Sequence, residues 1–198
     1  MVHERRREVK DPQLRKQEIL NQAMILFTSQ GYEKTSMRDI ARSLNISLGL
    51  CYRYFDSKQI LFEEAMNAYV DQCYRFFINV FESSSQDLFH KINKMYELMS
   101  KEEELFQYHV FFHQPENQRL HDELSIKLCE KITPYVRKEF ENYCHQKKIK
   151  VKNADLLVRF ITYGQIGLLS DPRMPDKEII QSIQKYIETL IRGEMIPD

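Results

Sequence analysis

The chain has 198 residues and balances 29 Lys+Arg with 29 Asp+Glu, so its overall charge names no partner. That length can bury one sizeable core or two small ones. Its charge is uneven: residues 1–58 hold 11 Lys/Arg against 7 Asp/Glu, while residues 59–198 hold 18 against 22. A basic end points toward a polyanion, although a solvated surface can share that composition.

Met1–Lys10 is a charged arm with no apolar core, which speaks against a secretory signal. No apolar run nears the roughly 20 residues of a membrane span, so the expectation is a cytoplasmic protein with no membrane partner. Apolar residues recur at helical spacing, and five glycines and six prolines leave little for β-turns. Asp11-Pro12 reads as a helix start, followed by an apolar face of Ile19, Ala23, Leu26 and Phe27 and a left-handed end at Gly31. Thr35 or Ser36 caps a second helix that ends near Leu44, with Asp39 at a capping-box position. Asn45 makes the turn, and Ser47 caps a short helix through about Tyr54. Asp56 or Ser57 opens a long helix to about Phe81. Further helices are predicted over 86–99, 102–113, 118–147, 153–169 and 176–192. The charged stretch Lys147–Lys152 reads as a solvated loop. Cys51, Cys73, Cys129 and Cys144 show no C-x-x-C spacing and read as reduced, packed thiols.

Residues 36–55, SMRDIARSLNISLGLCYRYF, fit a helix-turn-helix. Ile40, Leu44 and Ile46 can fill the wedge between two helices meeting steeply across a short turn, and Ala41 is small where they come closest. Gly49 keeps the second helix slim, and Tyr52, Arg53 and Tyr54 offer hydrogen-bond donors. The same pattern also suits a helical hairpin that merely packs.

The wider stretch ILNQAMILFTSQGYEKTSMRDIARSLNISLGLCYRYFDSKQILFEEAM, residues 19–66, resembles the N-terminal domain of the Tet repressor (TetR) family. Its landmarks are the LF of the first helix, then G-Y, T-S, D-I-A, L-x-I-S, G-x-x-Y-x-Y-F and S-K-x-x-L. The resemblance implies an all-α fold. A three-helix head (11–56) follows the arm (1–10), and a long helix joins it to a helical ligand-binding and dimerisation body (57–198). It further implies that Thr35, Ser36 and Arg38 start the helix lying across the phosphates. Leu48, Gly49 and Leu50 begin the recognition helix in the major groove. Tyr52 and Tyr54 match positions that contact phosphate or bases, and Lys58 matches a lysine that grips phosphate. Cys51 matches a core position. On these roles Lys58, Tyr52 and Thr35 set affinity, while the Leu48–Leu50 tip, with Arg53 or Arg38, sets sequence. Leu48 and Leu50 stand where some members carry polar residues and suit thymine methyls. The Arg5–Arg7 run reads either as an arm along the DNA or as a solubilising tail.

Eleven of the 23 Phe and Tyr residues fall between Tyr69 and Phe112. Most of such a stripe is ordinary core, yet its density with Met95 and Met99 suits an apolar pocket between helices. By the resemblance an inducer binds there. Phe76, Phe77, Met95, Met99, Tyr108, Phe111, Phe112 and His113 are the candidate lining, for a hydrophobic effector. His109 and His113 have metal-ligand spacing but no evident third ligand, and read rather as pocket-wall histidines. The last two helices resemble the family's dimerisation pair, with Leu157, Ile161, Gly164, Gln165 and Leu168 on one face and Ile180, Ile183, Ile187 and Ile191 on the other. Packing within one subunit is the alternative. No nucleophile motif, phosphate loop or dinucleotide fingerprint is present, so neither an enzyme nor a cofactor is expected. The sequence therefore reads as a homodimeric, ligand-responsive repressor of an inverted-repeat DNA operator. A helical lipid- or drug-binding module with a non-functional head is the alternative.

Overall fold

A computed structural model describes residues 11–83, 87–99, 107–169 and 177–197. The arm with Arg5–Arg7 and residues 102–106 of the predicted 102–113 segment lie outside them. The chain forms two compact units, residues 1–69 and 70–198.

In the first unit, α1 (Pro12–Gln30) starts where the Asp11 carboxylate accepts the Gln13 and Leu14 N–H groups, with Pro12 at the first helical position. It ends at Gly31, whose φ of 89° few side chains tolerate. Its stripe of Ile19, Leu20, Ala23, Met24 and Phe27 is buried. Of the two candidate caps for α2 (Met37–Ser43), Ser36 is the one used. The Asp39 N–H donates to Ser36 Oγ at 3.2 Å, and the Ser36 N–H donates back to the Asp39 carboxylate at 3.0 Å. Asn45, at φ 52°, turns the chain into α3 (Leu48–Tyr54), capped by Ser47. Ile40, Ala41, Cys51 and Phe55 are essentially fully buried between these helices, with Leu44 and Ile46 half-buried at the rim.

Next comes α4 (Lys58–Ser83), whose residues 58–69 belong to the first unit. Phe62 explains why that unit extends past the predicted boundary at residue 56. Its ring packs against Phe27 and Tyr32 at centroid distances of 5.3 and 5.0 Å, and Lys16 pairs with Glu64 at 2.6 Å.

The second unit contains the rest of α4, then α5 (Leu88–Met99), the single turn α6 (His109–Phe112) and a 3₁₀ turn, Pro115–Asn117. After these come α7 (Gln118–Lys147), α8 (Ala154–Tyr163), α9 (Ile166–Leu169) and α10 (Lys177–Glu194). The predicted 153–169 helix is thus interrupted at Gly164 and Gln165. Within the charged stretch read as a loop, Ile149–Val151 forms a short strand (β1) antiparallel to Met195–Pro197 (β2). That pairing joins segments too far apart in sequence for a local pattern to reveal.

Leu88, Phe89 and Tyr96 of α5, Phe140 of α7, Leu157, Val158 and Ile161 of α8, and Ile180, Ile183, Ile187 and Ile191 of α10 form one buried cluster. This corrects the assignment of Leu157, Ile161, Ile183 and Ile187 to a dimer face, because each points into the core of its own chain. Half-buried Lys91 and Glu139 pair at 2.6 Å, tying α5 to α7. Thr133 and Thr162 share a buried hydroxyl–hydroxyl bond of 3.1 Å between α7 and α8. All four cysteines are free thiols. Among the described residues no helix is long and apolar enough to cross a membrane.

Candidate nucleic-acid interface and ligand cavity

The first unit places a short, capped helix on its surface. On α3, Cys51 points inward, while Gly49, Tyr52 and Arg53 are exposed and Leu48, Leu50 and Tyr54 are half-exposed. No atom lies within 4 Å of where a Cβ on Gly49 would stand, so the glycine leaves open space in front of the helix. Ser36 and Arg38 are exposed at the start of α2. The Ser36 hydrogen bond, more than any neighbouring cation, holds the Asp39 carboxyl below its ordinary range. That fixes a negative charge on the helix's positive end.

Two of the residues assigned to phosphate are already engaged. Thr35, assigned to the helix start that lies across the phosphates, is buried. Its hydroxyl donates to the Gly31 carbonyl at 2.8 Å and accepts from Gln30 Nε2 at 3.2 Å, so it braces the end of α1. Lys58 is half-buried, donating from Nζ to the Tyr32 carbonyl at 3.0 Å and lying 4.1 Å over the Tyr32 ring. An ammonium has three donors, so two remain for an anion. Burial keeps the Cys51 thiol protonated by raising its pKa, in line with a packing role.

The second unit contains a partly open cavity of about 210 Å³. Phe77 and Phe81 of α4, Met95 and Met99 of α5, His113, and a stripe down α7 from His121 to Phe140 line it, with Ile161, Gln165, Ile187 and Ile191 closing the far side. Of the predicted lining, Phe77, Met95, Met99 and His113 are found there. Phe76, Tyr108, Phe111 and Phe112 are not. Consecutive helical residues point about 100° apart, so Phe76 turns away from the void that Phe77 meets. Phe112 and Tyr108 are buried in packing, and Phe111 meets Phe112 edge-on at 5.2 Å. His121, Cys129, Thr162 and the α7 stripe were missed, although the 121, 125, 128, 129, 132, 136, 140 spacing is helical. Ile161, Gln165 and Ile187 line this cavity instead of a dimer face.

Most of the polar wall is satisfied internally. The Tyr96 hydroxyl donates to Gln165 Oε1 at 2.6 Å, and Gln165 Nε2 donates to the Ile161 carbonyl at 3.1 Å. Burial pushes the Tyr96 hydroxyl above its ordinary pKa and the Cys129 thiol up to about 11, so both stay protonated. His113 stacks on His109 at 3.8 Å and meets His121 edge-on at 4.5 Å. Among the described residues, no group of His, Cys, Asp or Glu is arranged to hold a metal ion.

A capped helix pair crossing a tight turn, with a bare point on its exposed second helix, defines a helix-turn-helix. Residues 19–65 match the family model for bacterial regulatory proteins of the tetR family, so this segment is similar to the N-terminal part of that family. Among curated relatives it is similar to the biofilm operon icaADBC HTH-type negative transcriptional regulator IcaR of Staphylococcus aureus (strain Newman), 29% identical over 84 residues. IcaR of Staphylococcus epidermidis is 28% identical over 86 residues. The matches span 42% and 43% of this chain and 43% and 44% of those relatives, less than half of either protein. Two solved structures share the fold: Salmonella enterica GusR (18% identity, 94% of this chain and 98% of that one, TM-score 0.60) and a putative TetR-family regulator from Mesorhizobium loti (17%, 93% and 96%, TM-score 0.60).

Proposed function

We propose that this chain is a transcriptional repressor that binds an inverted-repeat operator as a dimer and is released by a hydrophobic effector. The observation that carries DNA binding is the exposed face of α3: an open glycine flanked by Leu48, Leu50, Tyr52 and Arg53, on a helix held from beneath by fully buried Cys51. A slim helix end enters a major groove, and the flanking donors reach base edges or phosphates. The similarity to negative regulators supports repression.

Exposed apolar side chains on the last helices support dimerisation. Leu156 and Phe160 on α8, Leu168 on α9, and Tyr186 and Leu190 on α10 are each at least 41% exposed, opposite the stripes that fill the core. A second copy of the chain covering them completes a four-helix interface. This keeps Leu168 and replaces the other predicted face residues. Gly164 is no probe of that interface, because a Cβ there would come within 2.5 Å of the Phe160 carbonyl in its own chain.

The cavity supports effector binding, and α4 supports coupling, because its first turn carries Lys58 and its later turns carry Phe77 and Phe81. An effector shifts DNA affinity only through different affinities for two states, typically by about 5–150-fold. The test is salt-dependent binding to the DNA upstream of the chain's own gene, measured by fluorescence anisotropy. Tight binding that weakens steeply with salt is expected. Equal affinity for unrelated DNA would refute the repressor reading.

A further inference from the structure

Resting on the effector cavity proposed above, we infer that the break between α8 and α9 is a two-state switch: side chains of the cavity wall hold it open, and an occupant of the cavity lets the two helices join. Two carbonyls lose their helical partners at the break. The Gly164 N–H still donates to the Phe160 carbonyl at 2.8 Å, and the next bond of that ladder runs from Leu169 to Gln165 at 2.9 Å. Between them, no backbone N–H among the described residues donates to the carbonyls of Ile161 and Thr162. Both residues are buried, where an unpaired carbonyl is costly, and each carbonyl is met by a side chain instead. Gln165 Nε2 donates to the Ile161 carbonyl at 3.1 Å, and the Cys129 thiol donates to the Thr162 carbonyl at 3.3 Å. Both side chains line the cavity. A third wall residue, Tyr96 of α5, aims the first. Its hydroxyl donates to Gln165 Oε1 at 2.6 Å, which leaves Nε2 as the end facing Ile161. Burial keeps that hydroxyl protonated and hence a donor.

The same acceptors define the second state. When the Gln165 amide swings away, the Ile161 carbonyl takes the Gln165 backbone N–H and the Thr162 carbonyl takes that of Ile166, the bonds of an uninterrupted helix. Side-chain donors are exchanged for backbone donors, so smaller effects set the balance. One is Gly164. A Cβ there would stand 2.5 Å from the Phe160 carbonyl oxygen, so the open break has room for glycine alone. Inside a continuous helix the preference reverses, and glycine is disfavoured about fivefold against alanine. The other effect is the cavity. The Gln165 amide stands on its wall only in the open state, so a ligand that takes that place binds the joined state better. That is the difference in affinity between two states that an effector needs. The consequence reaches the surface. In one continuous helix Leu168 follows Phe160 by eight residues and stands about 80° round the axis from it, whereas the break sets the two directions separately. Both are exposed members of the dimer face proposed above, so filling the cavity reshapes the surface that a second copy covers.

The test is hydrogen exchange of the full chain, read by mass spectrometry at the amides of residues 165 and 166, which the open break leaves without a backbone acceptor and the joined helix protects. Gly164→Ala should slow exchange there about fivefold or more. Gln165→Met, which removes the side-chain cap, should slow it as well. A fixed break predicts the opposite sign: the alanine clashes, the methionine strips Ile161 of its partner, and exchange quickens. Faster or unchanged exchange in folded variants overturns the switch. The ligand probe is n-butylbenzene, because a cavity of ~150 Å³ accepts benzene and this one, at about 210 Å³, suits a substituted ring. At saturation, followed by calorimetry, it should slow exchange at both amides about fivefold or more in the wild type and add nothing in Gly164→Ala. Binding without slowing overturns the switch and leaves the cavity reading standing. Failure to bind counts against the effector cavity, and the two variants then decide the two-state break by themselves. If one variant does not fold, the other decides; if neither folds, the wild-type response to the probe does.

Discussion

Lys58→Met separates a structural lysine from a DNA-binding one. The substitution keeps most of the aliphatic stem and removes the ammonium that bonds the Tyr32 carbonyl and covers its ring. A hydrogen bond from a charged donor contributes about 1.5–3 kcal/mol, and a cation over an exposed ring ~0.5–1 kcal/mol. Lys58 is half-buried, and solvent screens part of both, so a loss of about 1–2 kcal/mol is expected. Urea unfolding should report it as a lower midpoint. The Tyr32 contact also restrains a side chain carrying about 2 kcal/mol of rotamer entropy, so the ammonium meets DNA already placed. Operator affinity measured against salt should therefore fall for all sequences alike, and the slope should shrink by about 0.9, one phosphate's worth. Wild-type stability in the variant would refute the Tyr32 anchor. A destabilised variant with the wild-type slope would make Lys58 purely structural and refute its phosphate role.

Gly49→Glu should fold normally, since nothing lies near the new Cβ, and should abolish operator binding by bringing a carboxylate against the DNA; a folded variant that binds like wild type would remove α3 from the interface. Phe160→Glu, at a side chain 61% exposed, should turn the dimer into a monomer by light scattering with helicity unchanged, and a persistent dimer would place the interface elsewhere. The Asp39 pKa is lowered by its bond to Ser36, so its folded value lies below its unfolded one. Its contribution is complete above the unfolded pKa and is lost as pH falls through the folded pKa. Asp39→Asn should flatten that acid limb when urea midpoints are compared between about pH 5 and pH 2, and parallel limbs for the two proteins would exclude the capping box as a source of stability.

The sequence alone was enough to place most helices. Asp11 with Pro12, Ser36 with Asp39, and Ser47 each mark a start because caps act across two or three residues, and a local pattern records them. The same locality made the exposed tip of α3 legible: Gly49 and Tyr52 lie on one side of a helix whose Cys51 points inward. What a partner or a cavity needs is not local. Ile183 and Ile187 form a clean stripe, but a stripe states only that something apolar covers it. The tertiary structure decided that α5, α7 and α8 of the same chain do so, leaving Phe160 and Tyr186 outside. Lys58 was read as poised for phosphate, yet the Tyr32 carbonyl that holds it lies 26 residues back along the chain. The cavity follows the same rule. It is the volume left where side chains from Phe77 to Ile191 fail to meet, and free volume belongs to the packing of several helices together, so no single segment of sequence contains it.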